Sequence, residues 1–99
     1  MYRQMIRYDW DEDKNQSNYV KHGISFRTAI LIFDDPSVVS EVERIVDGEE
    51  RWQSIGVIGS ILIVLVVHTW KLQDSDEIIR VISARKATPN ERKRYEELL

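Results

Sequence analysis

The chain contains no cysteine, which excludes a disulfide framework, a thiolate metal site and a cysteine nucleophile. It has little proline and little glycine, two and four residues, and both prolines stand at the edges of candidate elements. Nothing reads as a linker, a repeat or a low-complexity tract. Long apolar runs are missing too: the longest, Ile61 to Val67, is too short to span a bilayer. Met1-Tyr2-Arg3-Gln4-Met5 lacks the apolar core of a secretory signal, so a cytoplasmic protein without membrane contact is expected. Charge of one sign is not in large excess, with 17 acids against 14 bases and a formal net charge of -3. That balance argues against a nucleic-acid binder acting through bulk charge, while leaving local patches open. What remains is 99 residues, 42% of them hydrophobic, which suits a single domain over residues 1–99 with a small core.

Met5 to Trp10 reads as a short strand. Asp11 is a candidate N-cap, followed by acids where a helix start favours them, and the helix runs to His22 with Gly23 as its left-handed cap. Its apolar face is thin, so Asn15 and Asn18 are expected to bond neighbouring backbone. Ser25 can cap a second helix with Phe26, Ala29, Ile30 and Phe33 on one side, ended by Asp34-Asp35-Pro36. The period then becomes strand-like at Val38-Val39, Glu50 to Val57, Ile61 to Trp70 and Glu77 to Ala84, with turns at Gly59-Ser60 and Asp74-Ser75-Asp76. Ile61 to Val67 has no polar side and reads as a central strand covered on both faces. Thr88-Pro89-Asn90-Glu91 opens a last helix with a capping box, on which Arg92, Tyr95 and Leu99 share a side. The expected fold is α+β, β-α-α-β-β-β-β-α, with an antiparallel sheet.

The charge is unevenly spread. Residues 1–79 carry 8 bases and 14 acids, whereas residues 80–99 carry 6 bases and 3 acids. Arg80, Arg85, Lys86, Arg92, Lys93 and Arg94 make a basic segment that is either a solvated surface or a phosphate-binding edge.

Several local signatures occur in order: Trp10-Asp11-Glu12-Asp13-Lys14-Asn15, Lys21-His22-Gly23-Ile24-Ser25-Phe26, Phe33-Asp34-Asp35-Pro36, Gly48-Glu49-Glu50-Arg51-Trp52, Ile55-Gly56, Val66-Val67-His68-Thr69, Ile82-Ser83-Ala84-Arg85-Lys86-Ala87, then Glu91-Arg92 and Tyr95-Glu96. From Trp10 to Glu96 the chain resembles the BrnT family of type II toxins. The resemblance implies a RelE-like fold, RNA cleavage that stops translation, and neutralisation by a BrnA-type antitoxin through which alone DNA would be reached. An alternative of another class is a non-catalytic interaction module or co-repressor acting with a DNA-binding antitoxin.

Metal-free RNA cleavage needs a base for the ribose 2′-OH, an acid for the leaving 5′-oxygen and cations for the phosphorane. No cofactor and no metal site are expected, since the two histidines lack ligand-like carboxylate spacing. The catalytic candidates are Arg85, Tyr95, Glu50, His22 and His68; the RNA-binding candidates are Lys21, Arg51, Trp52, Arg80, Lys86 and Arg92. Arg85 can grip two phosphate oxygens or pair with an acid on a neighbouring strand. Strand alternation puts Arg80 on the opposite face unless a bulge intervenes. Lys21 and His22, at a helix end, suit a phosphate, a general acid or a C-cap. His68 suits acid–base work or a satisfied core position. Glu50 is a general base if Trp52 raises its pKa, or an exposed acid. Trp52 can stack on an unpaired base or be core. Tyr95 can donate to phosphate or pack on the sheet.

Overall fold

The computed structural model describes residues 5–99. Strand β1 (Ile6–Trp10) leads into α1 (Glu12–His22), α2 (Phe26–Ala29) and a 3-10 turn (Ile30–Asp34). Four strands follow, β2 (Val39–Val46), β3 (Glu49–Ile58), β4 (Leu62–Gln73) and β5 (Asp76–Lys86), then α3 (Pro89–Glu97). The caps sit where the side chains dictate. The Asp11 carboxylate accepts from the Lys14 amide at 3.1 Å, and Gly23 at φ 73 sends its N–H to the Tyr19 carbonyl. Thr88 and Glu91 form a reciprocal capping box with Pro89 in the first turn.

Two elements depart from the sequence expectation. The second helix is one α-turn that tightens to 3-10 at Ile30, so only part of the expected stripe is α-helical. Strand β2 runs on to Val46 because Asp47 (φ 50) and Gly48 (φ 78) make a two-residue left-handed turn that matches strand twist.

The sheet order is β1-β5-β4-β3-β2. Hairpins make β2 to β5 antiparallel, as expected, but β1 lies parallel to β5, from Ile6↔Glu77 to Trp10↔Val81, so the sheet is mixed. The reason is connectivity: β1 precedes the helices and returns to the sheet through no hairpin. The β3–β4 ladder ends at Trp52↔His68, whereas β2–β3 continues to Val46↔Glu49 and β4–β5 to Gln73↔Asp76. The sheet is therefore forked, with two separate arms at one end.

One face, the core face, packs Val64, Val66, Val81 and Ala84 against Ile24, Phe26, Ala29 and Ile32. Val64, Leu65 and Val66 of β4 are all buried, as a central strand covered on both faces should be. Where β1 stops, Asn18 of α1 takes its place at the β5 edge. Its amide nitrogen donates to the carbonyls of Ala84 (2.8 Å) and Ile24 (3.1 Å), and its oxygen accepts from the Ala84 amide. Asn15 accepts from the Phe26 amide at 2.8 Å. These are the backbone partners expected of both asparagines. At the β3 edge beyond β2, Asp35 accepts from the Val57 amide at 3.0 Å.

Gly56 lets the 3-10 turn approach β3. A Cβ there would stand 2.9 Å from the Ile32 Cβ and 3.0 Å from its carbonyl oxygen. Gly56→Ala is expected to cost about 1–3 kcal/mol by overpacking, read as a lower urea midpoint at unchanged m-value.

Candidate active site

The outer face of the sheet, opposite the core, is where the strand bases gather. The β4–β5 register slips between Val67↔Ser83 and His68↔Val81, leaving Ile82 as an extra residue in β5. That single bulge reverses the alternation beyond it, so Arg80 and Arg85 share the outer face. Register places Arg7 of β1, Lys71 of β4 and Arg51 and Arg44 of β3 and β2 on it as well. Arg7, Asp9, Glu49, Thr69, Lys71, Gln73, Ile78 and Arg80 line a groove of about 450 Å³ at the fork. Arg80 is tied to Asp9 at 2.8 Å, a pair exposed on both sides, and it is held there as a surface device rather than a strong tether.

At the other end of this face α3 covers Val39, Ile55 and Leu65, which with Glu91 and Tyr95 line a smaller hollow of about 170 Å³. Arg85 grips Glu91 with two N–H groups at 2.7 and 2.9 Å. The hydrogen bond from Arg85 is the main reason that the Glu91 carboxyl falls to about 2, against partial burial and with help from Thr88. The same bond raises the Arg85 guanidinium above its ordinary value. A carboxylate so depressed contributes stability that is fully present above its ordinary 4.5 and lost as pH falls through about 2. The chain is expected to lose stability across that window, and Glu91→Gln to flatten this part of the profile. Urea midpoints compared between pH 6 and pH 3 (roughly, within the linkage window) read the difference.

The Tyr95 hydroxyl, on a side chain only 3% exposed, donates to Asp35 at 2.5 Å. Burial, then this bond and the Asp35 charge, push Tyr95 up to about 12. Burial pushes Asp35 up, but its bonds from Tyr95, Val57 and Ser37 outweigh that and hold it below the carboxylate range. Tyr95 thus fastens α3 to the segment before β2. Arg92 is exposed on α3, and Leu99 is 71% exposed beyond the helix rather than sharing a packed side with Tyr95.

The core face holds the other candidates. His68 is fully buried against Phe33 and Trp70. Its Nδ1 faces the Thr69 carbonyl at 3.0 Å and so carries the proton, leaving Nε2 to accept from Ser54 at 2.7 Å, which accepts from Ser40. Burial lowers its pKa, opposed by the Thr69 bond. Trp52 meets Trp70 edge to face at 5.2 Å, and register puts exposed Glu50 on the same side. The sheet thus separates His68, Trp52 and Glu50 from Arg80, Arg85 and Arg51. Lys21 and His22 end α1 beside Ile82 and Ser83, lining a shallow hollow at the β5 edge next to the bulge. Lys86 is exposed at the end of β5. Arg7 and Lys71 escaped the sequence reading; the alternation Val67-Thr69-Lys71 was the available sign for the second. Among the described residues no group of three or more His, Asp or Glu side chains converges as a metal site, and no helix is long and apolar enough to cross a membrane.

A family model described as the ribonuclease toxin BrnT of type II toxin–antitoxin systems matches residues 10–91. The chain belongs to the BrnT family. BrnT toxins are ribonuclease components of type II pairs, which implies RNA as substrate and a protein antitoxin as partner. The chain is also similar to the 1.1 Å crystal structure of the Brucella abortus ribonuclease toxin BrnT. Identity is 29%, the match covers 86% of this chain and 99% of that one, and the TM-score is 0.58. No curated protein matches. The BrnT match takes in β1's last residue through the start of α3, and so both the bulge and Arg85, while Tyr95 lies beyond it.

Proposed function

We propose that the chain is a metal-independent endoribonuclease that cuts RNA laid across the outer face. The observation that carries this reading is the Ile82 bulge, which aligns Arg80 with Arg85 on the one sheet face rich in bases. Arg85, already oriented by Glu91, holds the scissile phosphate, and its spare N–H groups stabilise charge as the phosphorane forms. Arg80, Arg51 and Arg92 bind flanking phosphates, while Lys86, whose register with Val64 puts it on the other side of β5 at the strand end, and Lys21 do so from the rim. The ribose 2′-OH gives its proton to neutral His22 as its oxygen bonds to the adjacent phosphorus, the P–O5′ bond breaks, the imidazolium returns that proton to the leaving 5′-oxygen, and a 2′,3′-cyclic phosphate remains. His22, partly exposed beside the bulge, is the favoured proton carrier. Tyr95 acts through position, by holding α3 and with it Glu91.

Cleavage of messenger RNA stops translation, and a BrnA-type antitoxin neutralises the chain, linking it to DNA only indirectly. The test uses partner-free protein in EDTA with a single-stranded RNA and the same oligonucleotide bearing 2′-deoxy sugars. Cleavage of the RNA alone, with a cyclic phosphate end and loss of activity in His22→Ala, is the expected result. Cleavage of both strands, or of neither by folded protein, rejects the reading.

A further inference from the structure

At the forked end the core face is left uncovered by α1 and α2. Val42 is 41% exposed, Ile45 67% and Leu72 71%, and register sets all three on the same side as Trp52 and Trp70. The two indoles meet in the crotch of the fork, at 5.2 Å. The Trp70 N–H donates to Glu77 at 3.0 Å, whereas the Trp52 N–H is enclosed with no acceptor among the described residues. Among the described residues this end of the face carries no strand base: its charged strand residues are Glu50 and Glu77, with Asp34 at the margin beside Tyr8. The strand bases of both arms lie on the opposite face, where Arg7, Lys71 and Arg80 line the groove.

We propose that this apolar, acid-rimmed patch is the docking surface for a basic amphipathic segment of the protein partner. An apolar stripe covers Ile45, Trp52, Trp70 and Leu72, while lysines or arginines on its flanks meet Glu50 and Glu77. RNA is a poor occupant, because those carboxylates repel phosphate. A second copy is poor too, since the same patch would face itself and, among the described strand residues, it offers the carboxylates of Glu50 and Glu77 no base to meet. The fork thus divides labour by face, substrate on the cationic side and partner on the apolar one. Naming the partner as the antitoxin rests on the family reading; the surface itself does not depend on RNA cleavage.

A short amphipathic Leu/Lys peptide, titrated against the full chain and read by tryptophan fluorescence, tests the surface. Saturable binding is expected, weakened about tenfold or more by Ile45→Asp and by Leu72→Asp, with no binding of the matching Leu/Glu peptide. Both variants alter exposed side chains, and their RNA cleavage is expected to equal that of the parent, so this proposal and the ribonuclease reading fail separately. Equal binding of both peptides, or unchanged affinity in the two folded variants, overturns it. A concentration-dependent dimer in sedimentation, dissolved by Leu72→Asp, would assign the patch to a second copy instead and also overturn it.

Discussion

Arg85→Ala is expected to slow RNA cleavage by a factor of about 10² to 10³, the usual loss when one donor to a developing oxyanion is removed. Among the described residues the guanidinium is the one outer-face cation whose fork is pre-set by a bidentate carboxylate, so little ordering remains when phosphate arrives. Its substitution also breaks the pair with Glu91. That pair is part-exposed, and Glu91 keeps its bonds to Thr88, so the stability cost is expected near 1 kcal/mol. Glu91→Gln separates the two effects, because it weakens the pair and leaves the cation in place. A fall in activity shared equally by both variants would mean that the ion pair, and not the guanidinium, is what matters. Single-turnover cleavage of one RNA, alongside urea unfolding of each variant, makes the comparison.

The largest stability effect is expected at Asn18. Its side chain is 8% exposed and serves the carbonyls of Ile24 and Ala84 and the amide of Ala84. Asn18→Ala leaves those groups buried without partners, at a cost of about 3 kcal/mol. In a domain of this size that lowers Tm by about 15 °C. Asn18→Asp is expected to be no better, since it removes the donors and buries a charge. A loss under about 1 kcal/mol for Asn18→Ala would show that water replaces the side chain at the β5 edge.

Much of the fold was readable because local chemistry acts locally. Asp11, Gly23, Ser25 and the Thr88–Glu91 box mark helix ends by satisfying particular amides and carbonyls, and the apolar run to Val67 lies mid-sheet from Leu62 on, although Ile61, expected in the same strand, falls in the turn and is 88% exposed. Asp47-Gly48 was not read as a turn, and β2 was accordingly expected only at Val38-Val39. The direction of β1 was not legible either, because a strand's own residues do not say beside which distant strand it lies. The site was read less well for two physical reasons. Face assignment counts residues by twos, and a bulge at Ile82, with neither glycine nor proline to announce it, shifts the count by one. The split between Arg85 and His68 has another origin: Arg85 pairs with Leu65, which alternation within β4 sets on the opposite face from His68, and residue type alone could not show that pairing.

The two side chains that stand in for missing strands, Asn18 beside β5 and Asp35 beside β3, have a further consequence for colloidal behaviour. A sheet edge with unpaired amides is a template on which another chain can grow. Here the upper edges on both flanks are closed by side chains of the same molecule. What stays open is the five-residue β1 and β2, which is kinked between Val42 and Arg44 and studded with Glu41, Glu43 and Arg44. The described residues thus leave little regular edge on which a second sheet could grow, so edge-to-edge aggregation is disfavoured whether or not a partner covers the chain.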